Sequence, residues 1–137
     1  MVVRRIPPRE GVAAWNRWLT AQDATSSDFS VSSSEGEVSP ADIALAVRFS
    51  LQILAEEAPG ASVEVRVVPY GAVQIIEGVG HRRGTPPAVV EMRADVWLRL
   101  ASGLLTWEDA LADASVEASG ERADLQPYLP LRSLPLR

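Results

Sequence analysis

Residues Ser39 to Glu57 read SPADIALAVRFSLQILAEE, and from Ser62 to Glu77 the chain continues SVEVRVVPYGAVQIIE. The change of pattern between these two stretches decides the fold class. In the first, serine is a helix cap, Pro40 suits the first helical position and Asp42 favours the helix dipole and reaches back toward the cap. Pro59-Gly60 stops the helix near Glu57. In the second, Val63, Val65 and Val67 alternate with Glu64 and Arg66, the signature of a half-buried strand. Val68-Pro69-Tyr70-Gly71 supplies turn residues, and Ala72 to Glu77 returns as the second strand of a hairpin. A helix followed by a hairpin implies a mixed α and β domain.

The helix is apolar on more sides than a surface helix needs. Ile43, Ala44, Leu45, Ala46, Val47, Phe49, Leu51, Ile53, Leu54 and Ala55 wrap most of it, and only Arg48, Ser50 and Gln52 interrupt between Asp42 and Glu56. An amphipathic surface helix shows a narrower stripe. This one is buried on two sides or lines something apolar.

Upstream, Pro8 to Ala21 has an apolar face at helical spacing, including Ala14, Trp15, Trp18 and Leu19, and Trp15 and Trp18 dock it onto the rest. Residues 25–39 form a polar, serine-rich and acidic stretch that buries too little to offset its ordering entropy, so a flexible loop is expected. Downstream of the hairpin, a loop rich in glycine and arginine runs from Gly78 to Pro87, followed by a third strand at Ala88–Met92. Two short helices come next, Ala94–Ala101, ended by Gly103, and Trp107–Asp113, the latter with a Thr106/Asp109 capping box. Val116–Ala118 forms a short strand, Ala123–Tyr128 a last helical turn or two, and residues 130–137 an extended, proline-interrupted tail. The expectation is one domain over residues 1–137.

Composition mainly excludes. The 137 residues carry 13 basic and 18 acidic side chains, for a net charge of −5. Phosphate contacts need a basic surface, so a nucleic-acid partner is not expected. There is no cysteine and one histidine, which leaves no disulfide, no thiolate or histidine metal site and no cysteine nucleophile. No cofactor is implied. The apolar runs fall far short of a membrane span, so no stable membrane insertion is expected. No leader pattern opens the chain, and a cytoplasmic location is the expectation.

Few residues invite a chemical reading. Gly78-Val79-Gly80-His81-Arg82-Arg83-Gly84 is one residue too long for the dinucleotide fingerprint, and Thr85-Pro86-Pro87 leaves no helix start for a pyrophosphate. Arg82 and Arg83 could instead meet an anionic ligand head at a pocket mouth, or simply balance nearby carboxylates in a solvated loop. His81 titrates near neutrality, but neither a nucleophile nor an orienting partner accompanies it, so catalysis is not expected. Trp97 and Trp107 sit on short apolar helices, where they fill a core or line a cavity.

The ordered segments together resemble a known family. Ser62–Val67, Gly71–Gln74 and Arg83-Gly84-Thr85-Pro86-Pro87 are similar to the bacterial branch of the sterol carrier protein type-two superfamily. The closing segments, Trp97–Gly103, Trp107–Leu111, Val116–Glu121 and Asp124-Leu125, are shared with that superfamily at large, with Glu121 where aspartate or asparagine is often seen. The resemblance covers Ser62 to Leu136, with weaker support from the Pro40–Glu57 helix. It implies an α+β, sterol-carrier-like fold: a mainly antiparallel, curved sheet of about five strands with helices packed on one face. It also implies an apolar tunnel that binds or carries a hydrophobic ligand, a sterol, a fatty acid or a fatty acyl-CoA, without catalysis. The expected wall is Val47, Leu51 and Leu54 on the long helix, Val73 and Ile75 on the sheet, and Trp97, Leu100, Leu104 and Leu111 on the C-terminal helices, with Arg82 and Arg83 at the head group. The competing reading is an accessory interaction domain with a filled core. On that reading Pro130–Leu136 is the contact for a second copy or a partner protein.

Overall fold

A computed structural model describes residues 5–27, 38–78, 88–120 and 123–135, with side chains of 24–27 left aside. Most of the serine-rich stretch, residues 28–37, therefore lies outside the described residues, as do residues 79–87 with His81, Arg82 and Arg83, and also Glu121 and Leu136.

Helix α1 (Pro8–Ser27) is longer than its apolar pattern. The periodic residues stop at Ala21, but no glycine or proline follows until Gly36, so backbone hydrogen bonding carries the helix on into residues expected to start a loop. Helix α2 (Pro40–Glu57) begins as its sequence requires: the Ser39 hydroxyl accepts from the Asp42 N–H at 3.1 Å. The Asp42 carboxylate also reaches the neighbouring helix. It takes Arg17 Nη2 of α1 at 2.8 Å.

Three contacts give the sense of the α1/α2 pair. Ile6 meets Gln52, Gly11 meets Phe49 and Arg17 meets Asp42, so the helices run antiparallel. At Gly11 they come so close that an added Cβ would fall 2.1 Å from Phe49 Cγ. Only glycine permits that approach.

Strands β1 (Val63–Val68), β2 (Gly71–Ile75), β3 (Ala88–Arg93) and β4 (Val116–Ser119) form one sheet in the order β2-β1-β3-β4. The β1–β2 hairpin is antiparallel and closes through the Tyr70 N–H on the Val67 carbonyl at 2.8 Å. β1 and β3 pair in parallel, and β3 and β4 antiparallel. The sheet is thus mixed, with four strands among the described residues where about five were expected. The hydrophobic alternation could be counted strand by strand; a parallel neighbour requires a crossover, which alternation does not encode.

One face of this sheet is apolar. The register aligns Ile75, Val63 and Ala88 in one row, Val73, Val65 and Val90 in the next, and Met92 and Val116 beside Val67 in a third. Helix α2 lies on this face at β2, and α3 (Ala94–Ser102) at β1 and β3, while α1 covers the far side of α2. Helix α2 is therefore sandwiched, which accounts for its breadth of apolar residues. Helix α4 (Trp107–Ala112) starts on the Thr106 cap, whose Oγ1 accepts from Asp109 N–H at 3.1 Å. Gly103 ends α3 in the left-handed conformation at φ 88°, the usual role of glycine there.

The core holds Trp15, Phe49, Leu51, Leu54, Val63, Val65, Ile75, Trp97, Leu98 and Leu100 in one cluster. The polar contact between Ser50 and Trp97 inside it is satisfied. The Ser50 hydroxyl accepts the Trp97 indole N–H at 2.8 Å and donates to the Ala46 carbonyl at 2.7 Å, so a buried hydroxyl and a buried indole cost little.

The segment after the 3-10 turn Gln126–Tyr128 is extended, as its prolines require, and it folds back on the molecule. Leu131 is fully buried and Leu134 nearly so. The Leu131 N–H donates to Ala101 O, the Arg132 and Ser133 N–H groups donate to the two carboxylate oxygens of Glu57, and the Trp15 indole donates to Pro135 O. Within the Pro130–Leu136 segment expected to contact a partner, Leu131 and Leu134 are spent on the chain's own core, and Leu136 lies outside the described residues.

Candidate functional site: a groove at the sheet edge

Among the described residues β2 is an edge strand, and α2 packs beside it. Between them lies an open groove of about 1010 Å³, at the upper end of the sizes that hold small organic ligands. Three segments build it. Helix α2 contributes Leu45, Arg48, Leu51, Gln52, Ala55 and Glu56; the hairpin contributes Tyr70, Gly71, Ala72 and Val73; Arg5, Ile6, Pro7 and Glu10 close it from the α1 side. The α2 residues recur at three- and four-residue intervals and so form one stripe along the helix. From Leu45 to Glu56 that stripe runs about 16 Å at the helical rise.

Small residues make the space. A Cβ added at Gly71 would meet only Leu51 and Arg48, at 3.7 and 3.9 Å. Nothing in the packing forbids a side chain there, so the glycine leaves the groove wide. Tyr70, Val73, Leu45, Ile6 and Ala55 are half-buried, and Leu51 is almost wholly so. The middle of the groove is thus apolar, with polar groups toward its margins.

Those polar groups are mostly engaged. Arg5 pairs with Glu56. Arg48 Nε donates to Tyr70 O at 3.2 Å, tying the turn of the hairpin to α2. Gln52 grips the main chain of Ile6 from both sides: its Oε1 accepts the Ile6 N–H at 2.9 Å, and its Nε2 donates to the Ile6 carbonyl at 3.1 Å. A side-chain amide here replaces a neighbouring strand. The net worth of such bonds is about 1 kcal/mol each. The ion pair of Arg5 and Glu56, both well exposed, adds little.

The wall expected from sequence is divided by the structure. Leu51 and Val73 lie on the groove. Val47, Leu54, Ile75, Trp97 and Leu100 pack inside the core, none more than 1 % exposed. Leu104 and Leu111 are exposed, at 37 % and 45 %. The structure therefore brings two of the nine together at the groove. Arg82 and Arg83, the expected head-group contacts, lie outside the described residues.

Sequence reasoning missed the remainder. It took the whole apolar surface of α2 as one signal, but the groove uses the stripe where Arg48 and Gln52 interrupt that surface. Those two interruptions were visible in the sequence, and they mark the side facing solvent. The contribution of Arg5–Pro7 had no signal, because a short segment before a helix shows no periodicity.

Among the described residues no three histidine, cysteine, aspartate or glutamate side chains converge on a metal-binding geometry. No described helix is long and apolar enough to cross a membrane.

Comparison with known proteins gives one family. No curated protein matches the chain. A family model described as the bacterial SCP ortholog matches residues 39–131, from the cap of α2 to the buried Leu131. The match takes in all four strands, α2 to α4 and the α2 and hairpin walls of the groove; the chain belongs to the bacterial SCP ortholog family.

Proposed function

We propose that this protein binds and carries a hydrophobic, lipid-like small molecule, without catalysis, and that the groove between α2 and the β2 edge holds the apolar part of that ligand. The observation that carries this reading is the conjunction of membership in an SCP family with a large groove whose middle is apolar and whose wall is open at Gly71. Burying apolar surface from water contributes about 0.8 kcal/mol per methylene. A chain that fills even part of the groove gains enough to offset the cost of association. The engaged state of Arg5, Glu56, Arg48 and Gln52 supports a role for these groups in shaping the groove rather than in acid–base chemistry. Residues 1–137 acting as a single domain completes the proposal.

A competition assay tests it. A fluorescent long-chain fatty acid should bind the protein stoichiometrically and be displaced by unlabelled fatty acid or sterol. Gly71→Val, which narrows the groove at a position where a Cβ fits, should weaken binding about tenfold or more while leaving the thermal midpoint close to that of the parent. A protein that binds neither fatty acids nor sterols, and that carries no ligand in native mass spectra after gentle purification, would sink the proposal.

A further inference from the structure

The segment Arg5–Pro7 is held unlike anything else at the groove. It belongs to no helix or strand, yet its central residue is half-buried and packs against the core. Its main chain is gripped by one side chain, that of Gln52, through a donor and an acceptor on the same carboxamide. Its other tie is the solvent-exposed pair of Arg5 with Glu56. Pro7 and Pro8 follow, and Gly11 N–H bonds back to Pro7 O at 3.0 Å, so the first turn of α1 is a firm base from which the segment extends. All three of its residues line the groove.

We infer that Arg5–Pro7 is a lid along one side of the open groove, latched by the Gln52 carboxamide, and that release of this latch widens the entry for the ligand. The inference rests on the groove being the ligand site. When the lid lifts, Ile6 vacates its place on the groove wall, beside the α2 stripe that carries Leu51 and Ala55. The main-chain groups of Ile6 pass from Gln52 to water, which replaces both bonds at small cost because neither partner is charged or deeply buried. The helices need not move: Gly11, pressed onto Phe49, fixes α1 on α2 just beyond the hinge. Motions of short, lightly tethered segments of this kind are fast compared with domain motions.

Gln52→Leu removes both bonds while keeping a side chain of similar size. Two readouts then separate the lid from the ligand site itself. The chain has no cysteine, so Ile6→Cys introduces a single thiol, and its alkylation rate reports how often the segment lifts. In the Gln52→Leu background this rate should rise about tenfold, with the thermal midpoint lowered by only a few degrees; equal rates in the two backgrounds overturn the lid. Stopped-flow binding of the fluorescent fatty acid is the second readout. Gln52→Leu should speed both association and release, since a lid gates both directions. Faster association with slower release would mean only that leucine made the wall more apolar, and overturns the lid. Failure of the parent protein to bind the probe at all would remove the ligand reading and the lid's purpose with it, while the thiol rates would still show whether the latch exists.

Discussion

The segments flanking the folded elements, Arg5–Pro7 and Leu129–Pro135, are tied to the same helix in a similar way, with opposite consequences. Each gives two main-chain hydrogen bonds to one polar side chain in the C-terminal half of α2. Gln52 takes the N–H and the C=O of Ile6; Glu57 takes the N–H groups of Arg132 and Ser133. What differs is the apolar surface each tie brings with it. The C-terminal segment buries Leu131 and Leu134, reaches α3 through Ala101 and α1 through Trp15, and so joins three helices. The segment before α1 brings a single half-buried isoleucine and an exposed ion pair. Hydrogen bonds locate a segment, but buried hydrophobic area decides whether it is structural or displaceable. The C-terminal segment is part of the core, and the other is at its border.

The largest effect expected from this contrast is at Leu131. Leu131→Ala should lower unfolding free energy by about 2–5 kcal/mol, the cost of removing a fully buried leucine, whereas Ile6→Ala should cost at most about 1 kcal/mol. Urea denaturation of the two variants decides; equal losses would erase the distinction. Next comes Gly11→Ala, which forces a methyl group against the buried ring of Phe49 and should destabilise by about 1–3 kcal/mol, in spite of the better helix propensity of alanine. Calorimetry would show the wrong sign if the helices separate easily. Glu57→Ala leaves the Arg132 and Ser133 amides to water and should cost about 1–2 kcal/mol, with amide exchange rising along residues 130–135. Gln52→Leu should cost less and raise exchange at Ile6 alone.

The smallest effect is electrostatic. The hydrogen bond from Arg17, then its charge, hold the Asp42 carboxyl below its ordinary pKa, and the Ser39 hydroxyl adds to this. A carboxyl whose pKa is depressed in the folded state adds stability above its unfolded pKa and loses it as pH falls through the folded value. The α1–α2 tie is therefore present at neutral pH and lost in acid below the usual carboxylate range. Asp42→Asn should lower stability slightly at pH 7, where the tie is present, and converge on the parent in acid, which flattens that part of the stability profile. An unchanged acid limb in the variant would show that Asp42 takes no part in it.

Much of the fold was legible before any coordinates, for local reasons. Ser39-Pro40 and Thr106 start helices through their own hydroxyls, Gly103 ends one through its own backbone freedom, and the alternation of Val63, Val65 and Val67 marks a face. The family resemblance was legible because it depends on the order of such segments. The sheet was less so: β1 and β3 run parallel because β2 returns the chain to the starting end of β1 and β3 begins there, with Ile75 and Ala88 both beside Val63, and no residue at either strand announces its neighbour.

Sequence alone does not separate groove from core. Leu51 and Leu54 look alike in sequence, three residues apart on one helix, yet one borders the groove and the other is sealed in the core. Leu104 and Leu111 have the chemistry of wall residues and face outward. Apolar character states that a side chain gains by leaving water; it does not state which neighbour covers it.

The chain by itself determined the helix starts and stops, the two-sided apolarity of α2, the hairpin and the family. These follow from hydrogen-bonding side chains, backbone freedom and periodicity within a few residues. Only the tertiary structure decided that α2 is shared between core and groove, that β2 is an edge strand among the described residues, and that two short segments are gripped by Gln52 and Glu57. Those outcomes depend on which surfaces meet across 46 to 76 residues of sequence, and contacts at that range are set by the packing of the whole molecule.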